Sequence, residues 1–286
     1  MDNVAPPLTN PYQPRLQRVL AHMRRHFDKG LDLDDLADVA ALSRFHFHRV
    51  FTAMLGQTPA EALRDIRMIR AAEMLISSDL PLAAIGARVG YPAIGSFTRA
   101  FRQTYHMTPN ALRRTGQLPP APLPKPTGSL PMYDMTIKTL PNMRVAALPH
   151  TGPYNLIGAA FGQLSGIFDA AGLWGAVIGP AIAFYYDSPD EKPAAQLQSH
   201  AGMIVSPSCT LPPSLTELSV QSGRYGVLRY TGPYTGLPAA WAWAYAHWLA
   251  QSGAELADAA PFELSLNSPM DTQPEALITE ICIPLR

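Results

Sequence analysis

The chain writes Thr-Gly-Pro-Tyr twice, at Thr151–Tyr154 and at Thr231–Tyr234, and the separation of 80 residues persists well beyond the phrase. At that offset Arg144 matches Arg224, Leu148 matches Leu228, Ala159 and Ala160 match Ala239 and Ala240, and an Asp187-Ser-Pro run faces an Asn267-Ser-Pro run. Such a repeat limits the fold strongly, because both copies must suit one plan. Each copy reads as strand, Thr-Gly-Pro-Tyr corner, helix, strand and final strand. The expected strands are 144–150 and 225–230, then 176–186 and 262–267, then 202–206 and 279–285, with helices over 156–171 and 237–252. In the corner, Gly allows unusual backbone angles and Pro presets the start of the helix. Two such units can join their strands into one curved antiparallel sheet with both helices on one face, an α+β arrangement.

The first part of the chain has a repeat of its own, at 50 residues. Between 37–59 and 87–109, Ala37/Ala87, Val39/Val89, Phe47/Phe97, Arg49/Arg99, Phe51/Phe101, Thr58/Thr108 and Pro59/Pro109 are identical. Each copy reads as a short helix, a sharp turn and a second helix ending before Thr-Pro. Apolar residues at Leu33, Leu36, Ala37, Ala40 and Ala41 make a helical stripe. Ser43 is the expected N-cap of the next helix. There Phe47, Val50, Phe51 and Met54 share one face, which leaves Arg44, His48 and Arg49 outward. In the second copy Phe97, Ala100, Phe101 and Tyr105 form the buried face, and Arg99 and Arg102 stay exposed. A long amphipathic helix starting near Pro59 joins the copies. This is the helix-turn-helix plan used twice, whose second helix fits the major groove of double-stranded DNA. His46 and His48 stand two apart on a helix and point in different directions, so no metal site is expected.

Charge follows the same division. Residues 1–115 carry 15 Lys/Arg and 10 Asp/Glu, and residues 116–286 carry 7 and 12, so +5 in one part is cancelled by −5 in the other. A basic part suits a polyanion and an acidic part suits neutral or cationic partners. All four tryptophans lie in the acidic part. The Pro-rich stretch 116–131 reads as an extended spacer. The expected domains are therefore 12–115, a linker over 116–131, and 132–286. Two cysteines point to a reducing compartment. The longest apolar run, 239–250, is too short for a membrane span, and the N-terminus does not read as a signal peptide. A cytoplasmic location, no membrane partner and no cofactor are expected.

The run "IGARVGYPAIGSFTRAFRQTYHMTP" resembles the signature of the AraC/XylS family of transcriptional regulators, and the resemblance extends over about 15–115. It implies an all-α domain of two helix-turn-helix units joined by a central helix. It places the base-reading positions on Phe45, His48 and Arg49 in the first unit and on Gly95, Ser96 and Arg99 in the second, and Ser43, Arg44 and Arg102 complete the expected DNA-binding residues. The family often carries polar amides near Ile94 and Gly95, and this chain has none. Arg99 and phosphate contacts then bear most of the second unit's binding. RNA polymerase is a further partner consistent with that role, and a monomer or a homodimer would serve.

The acidic part resembles the GyrI-like ligand-binding domain, a tandem of strand-helix-strand-strand modules, through the Thr-Gly-Pro-Tyr corners and the closing "TEICIPL". The resemblance implies an aromatic-walled pocket between the modules, with a glutamate on the last strand contacting cationic ligands. Glu280 matches that glutamate, and its counterpart in the first copy is about Gly202. Tyr154 and Tyr234 close the corners, Phe184 and Tyr186 share one face of their strand, Trp174 faces only Ala254, and Trp241 belongs to a second helix loaded with aromatics far beyond the first. Aromatic faces around one carboxylate suit a lipophilic cation. Trp248 and Phe168, at equivalent positions, read as core. The chain is thus read as a DNA-binding regulator that senses a small-molecule effector. The alternatives are a small-molecule hydrolase or a protein-interaction module fused to a DNA-binding domain. No Ser/His/Asp or Cys/His constellation favours the enzyme.

Overall fold

The computed structural model describes residues 10–117 and 132–286, so most of the expected spacer lies outside the described residues. The described residues divide into two compact units, one helical and one built on a single sheet.

The helical unit contains α1 (Tyr12–Arg25), α2 (Leu33–Ala40), α3 (Arg44–Leu55), α4 (Pro59–Ser77), α5 (Leu82–Arg88), α6 (Ile94–Tyr105) and α7 (Pro109–Thr115). The 50-residue repeat is a repeat of helix boundaries and core anchors. Thr58 Oγ1 accepts from the Glu61 amide at 3.2 Å, and Thr108 Oγ1 accepts from the Ala111 amide at 3.2 Å. Each Thr-Pro thus pairs an N-cap with a proline at the first helical position, where no amide hydrogen is needed. Phe47 and Phe51 are fully buried with ring centroids 5.7 Å apart, and Phe97 and Phe101 repeat the arrangement at 5.8 Å. Several arginines serve structure instead of the surface. Arg67 donates to the carbonyls of Phe27 and Lys29 at 2.7 and 2.8 Å, and Arg113 donates to Leu80 at 2.6 Å.

The second unit contains β1 (Asp134–Leu140), β2 (Met143–Thr151), α8 (Gly158–Ala171), β3 (Val177–Tyr185), β4 (Gln198–Val205), β5 (Thr216–Val220), β6 (Gly223–Thr231), α9 (Leu237–Trp243), α10 (Leu249–Ser252), β7 (Phe262–Ser265) and β8 (Ile278–Leu285). The strands form one antiparallel sheet in the order β1-β6-β8-β7-β3-β4-β2-β5. Exchanging β1 with β5, β2 with β6, β3 with β7 and β4 with β8 returns the same order reversed, so the repeat is a pseudo-two-fold. β1 and β5 are not among the expected strands. Each is an edge strand traded to the other module, β1 pairing with β6 and β5 with β2.

One face of the sheet gathers Val145, Ile182, Phe184, Val220, Tyr225, Val227, Phe262, Leu264 and Cys282 into a single core. The opposite face carries the helices. Leu164 and Phe168 of α8 pack on Ala146 and Val205. On the other side the Trp248 indole lies on β6, where a Cβ at Gly226 would come within 2.7 Å of it.

The Thr-Gly-Pro-Tyr phrase has the same work in both modules. Gly152 and Gly232 take φ of +140° and +143°, a region that suits glycine. Their amides donate to Leu197 and Leu277 at 2.9 Å, tying each corner to the loop before the last strand of its module. That loop is matched too. Asp187 Oδ2 accepts from the Gln198 amide at 2.7 Å, and Asn267 Oδ1 accepts from the Ile278 amide at 2.8 Å.

The helices break the symmetry. Both end on a left-handed glycine, Gly172 and Gly253, but these are 81 residues apart whereas the corners are 80 apart. The extra residue is absorbed by a π-helical turn, Ala244–Trp248, between α9 and α10. Up to its first residue, Ala160 and Leu164 match Ala240 and Ala244. After it, the buried equivalent of Phe168 is Leu249. This corrects the expected pairing of Phe168 with Trp248, which is only partly buried.

Candidate functional site

In the helical unit, α3 and α6 are the second helices of the two motifs. α3 starts after Ser43, which holds the N-cap position without a side-chain capping bond. Arg44 is exposed and Phe45 partly exposed. Arg49 is half-buried, with Nη1 donating to the Phe45 carbonyl at 3.0 Å. His48 differs from the outward expectation. It is 3% exposed and lies 3.4 Å from Thr52 Oγ1, because its position on the helix adjoins the buried face of Phe47 and Phe51. α6 is more open. Gly95, Ser96, Arg99 and Arg102 are all exposed. Ile94, Gly95, Thr98, Arg99, Arg102 and Gln103 line one groove along the helix.

In the sheet unit, the residues expected to surround Glu280 divide between the two faces. Glu280 pairs in register with Leu264 and Arg229, on the face opposite the helices. Its carboxylate is met by Lys138 Nζ at 2.8 Å. Register also corrects its counterpart. Arg229 faces Glu280 as Pro149 faces His200, so the equivalent residue is His200, not Gly202. Phe184 is core, against Phe262, and Tyr186 leans edge-on to His200. Burial pushes the Tyr186 phenol up to about 12 and pulls the His200 imidazole down. Trp174 is exposed, packs at a tilt against Phe168 and donates to Asp169 Oδ1 at 2.7 Å.

The helix-side face holds the other carboxylate, Glu263, which alternation along Phe-Glu-Leu-Ser turns away from the Phe262/Leu264 core. It is 7% exposed at the centre of the sheet, in register with Ala183 and Ile281. Trp241 Nε1 donates to Glu263 Oε1 at 2.6 Å, and Tyr185 Oη donates to Glu263 Oε2 at 2.9 Å. Tyr245 stacks on Trp241 at 6.3 Å, and Tyr154 meets Tyr185 edge-on at 4.7 Å. Tyr154 is itself fixed at the corner, its hydroxyl donating toward the carbonyls of Asp187 and Gln198 at 3.0 and 3.1 Å. Burial and the neighbouring carboxylate hold the Tyr185 phenol well above its ordinary value, with Tyr154 and Tyr234 adding to the effect. Tyr234 is 41% exposed. Of the expected ligand residues, Trp241 hydrogen-bonds this carboxylate directly, Tyr154 packs on its partner Tyr185, and Tyr234 acts electrostatically on Tyr185. Glu263, Tyr185 and Tyr245 are additions. A signal for them exists in the repeat, since at an offset of 80 Glu263 faces Ala183, Tyr185 faces Ser265 and Tyr245 faces Ser165.

Among the described residues no group of three or more His, Cys, Asp or Glu is placed to hold a metal ion, and no helix is long and apolar enough to cross a membrane.

Comparison with known proteins gives two family matches. Residues 133–286 match the model of the GyrI-like small molecule binding domain, and residues 36–115 match a helix-turn-helix domain model of AraC type. The chain is 30% identical over 102 residues to the uncharacterized HTH-type transcriptional regulator YbfP of Bacillus subtilis, covering 36% of this chain and 35% of that protein. It is 28% identical over 102 residues to the regulatory protein SoxS of Escherichia coli, covering 36% of this chain and 95% of SoxS. The chain spans about a third of the length of the first curated relatives it matches. Among solved structures it is similar to the EcmrR C-terminal domain, at 16% identity and a TM-score of 0.48, over 54% of this chain and 98% of that one.

Proposed function

The chain belongs to the GyrI-like small-molecule-binding family through more than half its length, and from that premise we propose a one-component transcriptional regulator that senses a lipophilic cation at Glu263. Its helical unit is an AraC-type helix-turn-helix DNA-binding domain, and the relatives are transcriptional regulators. One observation carries the choice of ligand. Glu263 is a buried carboxylate on the helix side, held by Trp241 and Tyr185, with Tyr245 stacked on Trp241 and Tyr154 edge-on to Tyr185. A carboxylate beside aromatic faces favours a flat or greasy cation, which gains charge attraction and cation–π contact together. Glu280 is the weaker candidate because it lies on the face opposite the helices, away from Trp241 and Tyr245. On DNA, α3 and α6 face successive stretches of major groove from one chain, so a monomer suffices. The side chains of Arg99 and Arg102 are exposed, which suits them to bases and phosphates. The protein holds its ligand without transforming it and acts in the cytoplasm.

Calorimetry with tetraphenylphosphonium and with neutral triphenylphosphine oxide tests the site. Glu263→Gln is expected to weaken the cation about 10- to 100-fold, as loss of roughly 1.4–2.8 kcal/mol of charge pairing implies. The neutral compound should change little, and Glu280→Gln should change neither. Equal loss of both compounds in Glu263→Gln, or recovery of chemically altered ligand, would overturn the reading.

A further inference from the structure

Ile94 is the one large hydrophobic residue of the described helical unit that is strongly exposed, at 50%. It is the first residue of α6, the position where recognition helices approach base edges. The rest of the unit hides its large apolar side chains well: Phe97 and Phe101 of the same helix are fully buried. Nothing in the fold asks Ile94 to be apolar. The repeat reinforces this, because at an offset of 50 the equivalent residue, first in α3, is the exposed Arg44.

Its surroundings suit close approach to a partner. The N-cap, Ala93, makes no side-chain capping bond, and Pro92 and Ala93 are exposed. A Cβ added at Gly95 would meet nothing within 4 Å, so the protein's own packing does not demand a glycine there. The missing side chain instead lets the α6 backbone come near another surface. Along the groove the chemistry is graded, with Ile94 and Gly95 first, Thr98 and Arg99 one turn on, and Arg102 and Gln103 beyond. Of the groups a base pair presents in the major groove, only the thymine C5-methyl is matched by an aliphatic side chain.

Resting on the DNA-binding reading above, we infer that Ile94 is a specificity-determining residue that reads a thymine methyl group, with Gly95 admitting the base edge and Arg99 and Arg102 fixing the register. The second motif thus reads a thymine by apolar contact where an amide would read an adenine.

Selection from random duplex DNA with the full chain, and with Ile94→Ala, tests this. The wild type is expected to enrich a site with a fixed thymine, and the variant should lose the preference at that base pair alone. Replacing that thymine by uracil, which removes only the methyl, should weaken wild-type binding about fourfold, the value of one buried carbon, and leave the variant unchanged. The inference is overturned if uracil costs nothing at every enriched thymine, or if Ile94→Ala weakens all positions evenly. If neither protein enriches any sequence, the DNA-reading function fails, and this inference with it. Enrichment without methyl dependence removes this inference alone.

Discussion

Alanine in place of the repeated glycine should cost different amounts at the two corners. Gly152 and Gly232 share φ near +140°, which an alanine adopts only with about 1–3 kcal/mol of strain. Their surroundings differ. A Cβ at Gly152 would sit 3.6 Å from His150 Nε2, an ordinary contact. At Gly232 it would sit 2.8 Å from the Tyr230 hydroxyl, which donates to the Pro233 carbonyl at 2.9 Å. The phenol would have to move and give up that bond, adding roughly 1–3 kcal/mol. Gly152→Ala is therefore expected to destabilise the sheet unit by about 1–3 kcal/mol and Gly232→Ala by about 2–6 kcal/mol. Urea unfolding followed by tryptophan emission isolates this unit, because Trp174, Trp241, Trp243 and Trp248 all belong to it. Equal losses would refute the contribution of the Tyr230 clash, and no loss at Gly152 would refute the backbone argument.

Two further outcomes are expected. Thr108→Ala should lower the stability of the helical unit by about 1 kcal/mol through loss of the α7 cap, measurable by urea unfolding followed at the far-ultraviolet helix signal. An undiminished midpoint would remove the cap from the account. Tyr185 keeps its proton in the folded unit well above the ordinary phenol value near 10, while the unfolded chain releases it there. Stability should hold below pH 10 and fall as pH rises past it, with a shallower fall in Tyr185→Phe. Identical alkaline limbs in the two proteins would contradict the buried phenol.

Much of the fold was legible because its signals are local. Thr-Pro reads as a cap and a first helical turn whatever surrounds it, and phenylalanines four apart on an amphipathic helix read as core. The Thr-Gly-Pro-Tyr corners marked where strands hand over to helices. The two edge strands were less legible. β1 and β5 have mostly exposed, mixed sequences whose pairing is decided by the partner module. The carboxylate was hidden for a related reason. Glu280 and Glu263 both interrupt apolar strands, and only the register across β3, β7 and β8 tells which one faces the helices. Alternation beside Phe262 and Leu264 sets the face of Glu263, but the burial of both sheet faces gives that face its meaning. His48 shows the same limit on a helix, since periodicity gives an angle and packing decides how wide the buried sector is.

The π-helical turn gives the second helix one residue of slack that the first helix lacks. An insertion in a helix normally rotates everything beyond it by about 100° and ruins the packing. Here the surplus is confined to five residues, and the left-handed glycines at both helix ends keep their places. Helix length thus becomes an adjustable quantity next to Glu263, with α8 showing in the same molecule how the module is built without the surplus. Ligand preference could then be retuned by removing one residue from 244–248, a class of change that most helices of this length cannot accept.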